Sequence, residues 1–300
     1  MKAFVTLVLL MIALLASGQN KTVFIKDSAT HEPVPFAAIQ FTDQSGGFYA
    51  DEEGKAMLPD SICRVLVSQI AYHARKVDID QASNPVVILL TPAHNQLAEV
   101  VVSNVSSKRK KVGMLKPKGS FGVIPTPNVN FALFIPYDPA WKQLPVITSI
   151  IAYLDNIKGN DTYSVVKSKI RFDLRLPDIE GRPSNVSLLG ERIVYPTEKR
   201  YLGHEAVVLL HPVPFPPEGV FIVIDFILPS QLPVDRHCMI SPTISCTGAF
   251  PLEQTWSRTL TNDFTWRKMD RHDPAWASTI RKVYGENGVM NLRAGLEIAY

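Results

Sequence analysis

The segment Lys169-Ile170-Arg171-Phe172-Asp173-Leu174-Arg175-Leu176 alternates polar and apolar side chains through eight residues. Only a strand turns a period of two into two distinct faces, so the segment predicts a β-strand with its apolar face in a core and its charged face in water. Comparable short runs recur along the chain. Val146 to Leu154, Ala206 to Leu210 and Val220 to Leu228 are more continuously apolar, as central strands between two layers would be, and Leu292, Ala294, Leu296, Ile298 and Tyr300 share one face at the end. Proline (23) outnumbers glycine (16), which disfavours long helices and suits short strands joined by turns. Apolar residues make up 46% and charged residues 20%, so the chain has enough to bury and wholesale disorder is excluded. The expected fold class is all-β.

The strand-like runs fall into two groups. Between residues 22 and 102 about seven short runs lie between turns such as Asp51-Glu52-Glu53-Gly54, where an acid bonds the backbone ahead and glycine accepts positive φ. That pattern predicts a small antiparallel sandwich over residues 19–103. About nine runs between 121 and 300 predict a second, larger, jelly-roll-like β-sandwich. The final alternating run would also suit the closing strand of an outer-membrane barrel, but Pro212-Val213-Pro214-Phe215-Pro216-Pro217 fits lipid-facing strands poorly. Residues 104–120 carry Lys108, Arg109, Lys110, Lys111, Lys116 and Lys118 with no acid among them, and are expected to be a basic linker. The sharper reading of this stretch is a patch for polyanions. Without these six and Lys2 the remainder is net acidic, so the formal charge of +3 is local and nucleic acid is not an expected partner.

Several segments of the first group are similar to a known family. Glu32-Pro33-Val34-Pro35-Phe36-Ala37, Ala50-Asp51-Glu52-Glu53-Gly54-Lys55, Val65-Leu66-Val67-Ser68, Ala71-Tyr72, Val87-Ile88-Leu89-Leu90-Thr91-Pro92 and Leu97-Ala98-Glu99-Val100-Val101-Val102 follow in order. Together they resemble the carboxypeptidase-regulatory-like, transthyretin-like domain found at the front of many exported Bacteroidetes proteins. Ala50 and Ala71 stand where that family usually has Thr and Gly. The resemblance implies a transthyretin-like seven-stranded sandwich without peptidase activity, followed by an uncharacterised C-terminal β-sandwich. It also implies two candidate O-glycosylation sites, Ser28 in Asp27-Ser28-Ala29 and Ser61 in Asp60-Ser61-Ile62.

Residues 1–18 read as a signal peptide. Lys2 precedes an apolar run from Phe4 to Leu15, and Ala16 and Gly18 stand at the −3 and −1 positions of a cut before Gln19. Twelve residues span roughly 18 Å as a helix, short of a hydrocarbon core of about 30 Å. No later run is long and apolar enough to add a transmembrane segment, so the expected location is the periplasm or the outer-membrane or cell surface. Export permits disulfides, and of the three cysteines Cys238 and Cys246, eight apart, form the candidate pair. Cys63 sits in an apolar run and reads as a small buried residue.

Catalytic signatures are missing from the sequence. The histidines offer no zinc-ligand spacing, and no Gly-x-Ser-x-Gly elbow, phosphate loop or dinucleotide fingerprint occurs. The acidic turns Asp51 to Gly54 and Asp270 to Asp273 read as plain turns rather than calcium loops. No catalytic residue, metal or cofactor is therefore expected. Phe264 and Trp266 share a face and read as core, whereas Trp141, Trp256 and Trp276 stand near loops or strand ends and are the candidate glycan-binding platforms. The resulting expectation is an exported, non-catalytic envelope protein that binds a protein partner or a glycan. The alternative is a glycan-active envelope hydrolase whose acidic residues converge only in the folded second sandwich.

Overall fold

The computed structural model describes residues 20–44, 46–69, 71–93, 108–117, 121–125, 129–141, 144–157, 164–189, 193–195, 204–228, 238–259 and 265–300. The leader, residues 104–107 and 118–120 of the basic stretch, and Phe264 lie outside them. Between Ala93 and His94 the chain divides into two units, each an all-β sandwich around its own core.

The first unit has seven strands: β1 (Lys21–Asp27), β2 (Ala38–Phe41), β3 (Gly47–Tyr49), β4 (Lys55–Leu58), β5 (Arg64–Gln69), β6 (Tyr72–Asp78) and β7 (Val86–Leu90). They form a three-stranded sheet in the order β4-β1-β7 and a four-stranded sheet in the order β3-β2-β5-β6. Val23, Ile25, Leu58 and Ile88 from the first meet Ile39, Val65 and Val67 from the second. The expected antiparallel arrangement holds except at β1 and β7, which pair in parallel from Val23↔Val86 to Asp27↔Leu90. A parallel pair needs a long crossover, and the five strands between β1 and β7 supply it.

The acidic turn sets the geometry of this unit. The Asp51 carboxylate accepts the N–H groups of Glu53 at 3.1 Å and Lys55 at 2.7 Å, and Gly54 turns with φ 67°. The Gly54 carbonyl then accepts the Ile25 N–H at 2.8 Å. Glu32 to Phe36 runs along the same edge, with Val34 N–H donating to Ile25 O at 2.9 Å and Phe36 N–H to Asp51 O at 3.1 Å. The segment quoted for the family resemblance thus closes one end of the sandwich. Of the two modification candidates, Ser28 is partly buried in the turn after β1 and Ser61 is exposed in the turn after β4.

The second unit has sixteen strands and one helix among the described residues. The first eight strands are β8 (Arg109–Gly113), β9 (Phe121–Val123), β10 (Val129–Ile135), β11 (Val146–Asp155), β12 (Ser164–Lys167), β13 (Lys169–Pro177), β14 (Pro183–Ser187) and β15 (Ile193–Tyr195). After them come β16 (His204–Pro214), β17 (Val220–Ile227), β18 (Cys238–Ser241), β19 (Thr243–Thr247), β20 (Thr255–Thr259) and β21 (Arg267–Lys268). The helix α1 (Ala277–Tyr284) precedes β22 (Asn291–Leu292) and β23 (Ala294–Ala299).

One sheet runs β14-β13-β17-β10-β20-β21, with β15 also on β13. A second runs β22-β19-β11-β23-β8, with β16 on β11 and β9 on β19, and β12 and β18 form a separate parallel pair. Phe131, Phe172, Ile222 and Phe226 of the first sheet share one core with Ile147, Ile150, Ile244, Leu296 and Ile298 of the second, closed by Ile280 of α1. Phe131 and Phe226 meet edge to face at 5.9 Å between ring centres. The apolar run Val220 to Leu228 supplies β17, flanked on both sides and buried throughout, as a central strand should be.

The expectations for the linker and for the cysteines meet a different structure. Residues 109–113, expected within a linker, are strand β8, paired with β23 from Arg109↔Ala299 to Gly113↔Gly295. A side chain at Gly295 would come within 2.3 Å of the Val112 carbonyl, so the glycine is what admits β8 to this edge. Arg109 reaches Glu297 at 2.7 Å, and Arg293 and Thr247 hold the carbonyls of Leu115 and Lys116. The second unit therefore begins before residue 121. Basic side chains suit an edge strand, where they keep other strands from adding.

The cysteines differ from expectation as well. Cys63 is exposed: it stands just before β5, outside the alternation that buries Val65 and Val67, and its N–H donates to the Asp43 carboxylate at 2.8 Å. Cys246 is a free, buried thiol, and the side chain of Cys238, its expected disulfide partner, lies outside the described residues. The Cys246 side chain points into the apolar core beside Ile244 and Leu292, and burial there pushes its thiol pKa far upward. Titration of the native protein with a thiol-specific disulfide reagent should show a fast thiol that Cys63→Ser removes. Cys246→Ser should leave the fast phase unchanged, and loss of that phase in Cys246→Ser would contradict this placement.

Candidate functional site

A further correction concerns the alternating strand that the sequence places half in water. In β13 the side chains of Arg171, Asp173 and Arg175 project from the sheet face opposite the sandwich core, yet they are only 5%, 2% and 3% exposed. They belong to a grid set by strand register. Arg171 of β13 stands opposite Asp225 of β17, Asp225 opposite Asn130 of β10, and Asn130 opposite Arg258 of β20. The next row is Asp173, Val223, Ala132, Trp256 and Lys268, and the third is Arg175, Phe221 and Phe134.

The first row is a hydrogen-bonded ladder across four strands. Arg171 donates to Asp225 Oδ2 from Nε at 2.9 Å and from a terminal nitrogen at 2.6 Å. Asn130 Nδ2 donates to Asp225 Oδ1 at 2.6 Å, and Arg258 Nε donates to Asn130 Oδ1 at 3.1 Å. Beside it, Arg175 Nε donates to Asp173 Oδ2 at 2.7 Å and the Ser187 hydroxyl donates to Oδ1. Burial penalises the ionised Asp225 carboxyl, but the charges of Arg171, Arg175 and Arg258 outweigh it and hold its pKa below the usual carboxylate range. Both buried acids are thus engaged by guanidinium groups, an arrangement that braces the sheet and does not present a carboxylate to a substrate.

Towards β20 and β21 the same face becomes aromatic and more open. Phe134 and Phe221 lie 4.9 Å apart between ring centres, and the Arg258 guanidinium lies over the Trp266 ring at 4.3 Å. Trp266 is buried, as expected, although on this outer face rather than in the central core. Trp256 and Phe134 are partly buried, whereas Lys268 is exposed. At the Gln254 end of the face a shallow pocket of about 330 Å³ is lined by Leu252, Glu253, Gln254, Lys268, Arg271 and Asn287, among others.

The three candidate tryptophans do not form one surface. Trp141 packs edge-on against Tyr137 and Phe215, each 5.0 Å away. Its ring nitrogen is buried and makes no hydrogen bond. Trp276, just before α1, packs on Phe131 and donates to the Ser257 hydroxyl at 3.2 Å. Both indoles are side walls of the sandwich core. Trp256 alone of the three belongs to the outer face with the ladder and the pocket.

Both acidic turns use their carboxylates on the backbone. Asp270 Oδ1 accepts the N–H groups of His272 at 2.8 Å and Asp273 at 2.9 Å, as Asp51 does in its own turn. Among the described residues no three His, Cys, Asp or Glu side chains gather as metal ligands, and no helix is long and apolar enough to cross a membrane.

Sequence reading missed the ladder because its members come from four strands that only the sheet brings together. The available signal was Asp225, one acid in the otherwise apolar run Val220 to Leu228. No protein-family model, curated protein or solved structure matches the chain.

Proposed function

We propose that this protein is an exported, non-catalytic binding protein of the cell envelope, and that the outer face of its second sandwich, centred on Trp256, receives a glycan. One observation carries the reading. Trp256 stands partly open on a sheet face whose floor is fixed by the Arg171–Asp225–Asn130–Arg258 ladder. A sugar ring stacks its C–H face on an indole, and the stacking is worth most when the indole is held before the sugar arrives. Phe134 extends the apolar strip, and the polar pocket adjoins it. The hydrolase alternative would need two carboxylates facing a cleft. Asp173 and Asp225 are instead enclosed with arginine, and Glu253 is the single acid on the pocket lining.

The test is calorimetric titration of the full chain with cellohexaose, xylohexaose and a galacturonic acid hexamer. At least one should bind, and Trp256→Ala should weaken that binding about tenfold, the equivalent of about 1.4 kcal/mol. Trp141→Phe and Trp276→Phe should leave it unchanged, because those indoles pack inward. If none of the three binds, or if Trp256→Ala binds as tightly as the parent, the reading is wrong.

A further inference from the structure

We infer that the pocket beside Trp256 receives the carboxylate of an acidic sugar, so that the ligand of this face is a uronate-bearing glycan. The inference rests on the glycan reading above and adds the chemical class of the ligand. Three observations carry it.

The first is register. Lys268 stands directly across from Trp256 in the β20–β21 pair and also lines the pocket, so the pocket's lysine and the indole are cross-strand neighbours. Gln254, two residues before Trp256 and next to β20, also lines the pocket.

The second is charge. Lys268 and Arg271 bring two cations to the lining against the one carboxylate of Glu253. The nearest turn acid, Asp270, already has one carboxylate oxygen accepting two backbone N–H groups. Arg271 contacts His272 Nε2 and Asn287 Oδ1 at 3.4 Å each. These are long bonds and neither partner is a carboxylate, so an incoming carboxylate would replace them with shorter, charge-assisted ones.

The third is pre-organisation. Asn291, fully buried, accepts the Gln254 N–H at 2.7 Å and donates to the Leu252 carbonyl at 2.8 Å, while Phe134 N–H donates to the Gln254 carbonyl at 2.9 Å. Met269 N–H donates to the Thr255 carbonyl at 2.8 Å on the facing strand. The backbone on both sides of the pocket is therefore set without a ligand, and the exposed cations are the parts left to respond to one.

The test compares the galacturonic acid hexamer with its fully methyl-esterified form, the same sugar with its charge removed. The acid should bind about fivefold to tenfold more tightly at low salt, and the gap should narrow as salt screens the exposed cations. Lys268→Gln with Arg271→Gln should bring the acid down to the ester while leaving the ester's affinity unchanged. Equal binding of acid and ester by the parent would overturn the uronate inference and leave the Trp256 reading standing. Binding of neither form nor of the neutral hexaoses would overturn both. A preference for the acid that survives in the double variant would overturn the assignment to this pocket.

Discussion

Asp225→Ala should destabilise the second sandwich by about 3–5 kcal/mol, the usual consequence of leaving a buried cation without its counterion. Asp225 is 1% exposed and takes two hydrogen bonds from Arg171 and one from Asn130, so removing it strands groups on two neighbouring strands. All four tryptophans belong to this unit, so urea unfolding followed by indole fluorescence reports on it selectively. Arg171→Met in the same background should restore part of the loss, giving a coupling of about 1–3 kcal/mol in the double-mutant cycle. Strict additivity of the two changes would show that the ladder is not a unit. The pH dependence has a definite sign. The folded-state pKa of Asp225 lies below its unfolded value, so its contribution is complete above about pH 4 and is lost as the pH falls through the folded value. The parent should therefore lose stability in acid more steeply than Asp225→Ala does.

Gly54→Val should be the most damaging single change in the first sandwich, with an expected loss of at least about 3 kcal/mol. At φ 67° a β-branched side chain is strained whatever surrounds it. A Cβ there would also lie 2.6 Å from the Ile25 carbonyl and 3.0 Å from the Val34 nitrogen, both backbone atoms that hold the Glu32 to Phe36 segment in place. Gly181 separates the two causes, since it has φ 73° and nothing within 4 Å of an added Cβ. Gly181→Ala should cost only the backbone strain, about 1 kcal/mol, and Gly54→Ala should cost clearly more. Hydrogen exchange measured by mass spectrometry over β1 and β4 is the direct readout. Protection there equal to the parent's in Gly54→Val would refute the proposed closure.

Much of the architecture was legible because strand alternation and turn chemistry are local. The run Lys169 to Leu176 became β13, the turn at Asp51 to Gly54 formed as its composition implies, and the apolar run at Val220 became the central β17. The errors share one physical origin. The basic residues at 108–111 carry no periodic apolar signal, yet β8 joins a sheet because Gly295, nearly two hundred residues later, leaves room for its backbone. Cys63 faces water because it precedes the strand that buries Val65 and Val67, and Cys246 faces the core from within β19, boundaries that the surrounding apolar residues alone do not set.

The candidate site marks the boundary most clearly. Alternation in β13 determined that Arg171, Asp173 and Arg175 would share a face, since a period of two follows from backbone geometry alone. Whether that face would be wet depended on what stood opposite each residue. Cross-strand register set Asp225 against Arg171 and Asn130 against Asp225, pairing charges from distant segments closely enough to survive burial. The same register carried Trp256 to Lys268 and so to the edge of the pocket, while the equally aromatic Trp141 and Trp276 were drawn into core packing. The sequence by itself determined the strands and which side chains share each face. The tertiary structure decided which charges are buried, and which of the tryptophans shares a face with the pocket, because both depend on contacts between strands that only folding brings together.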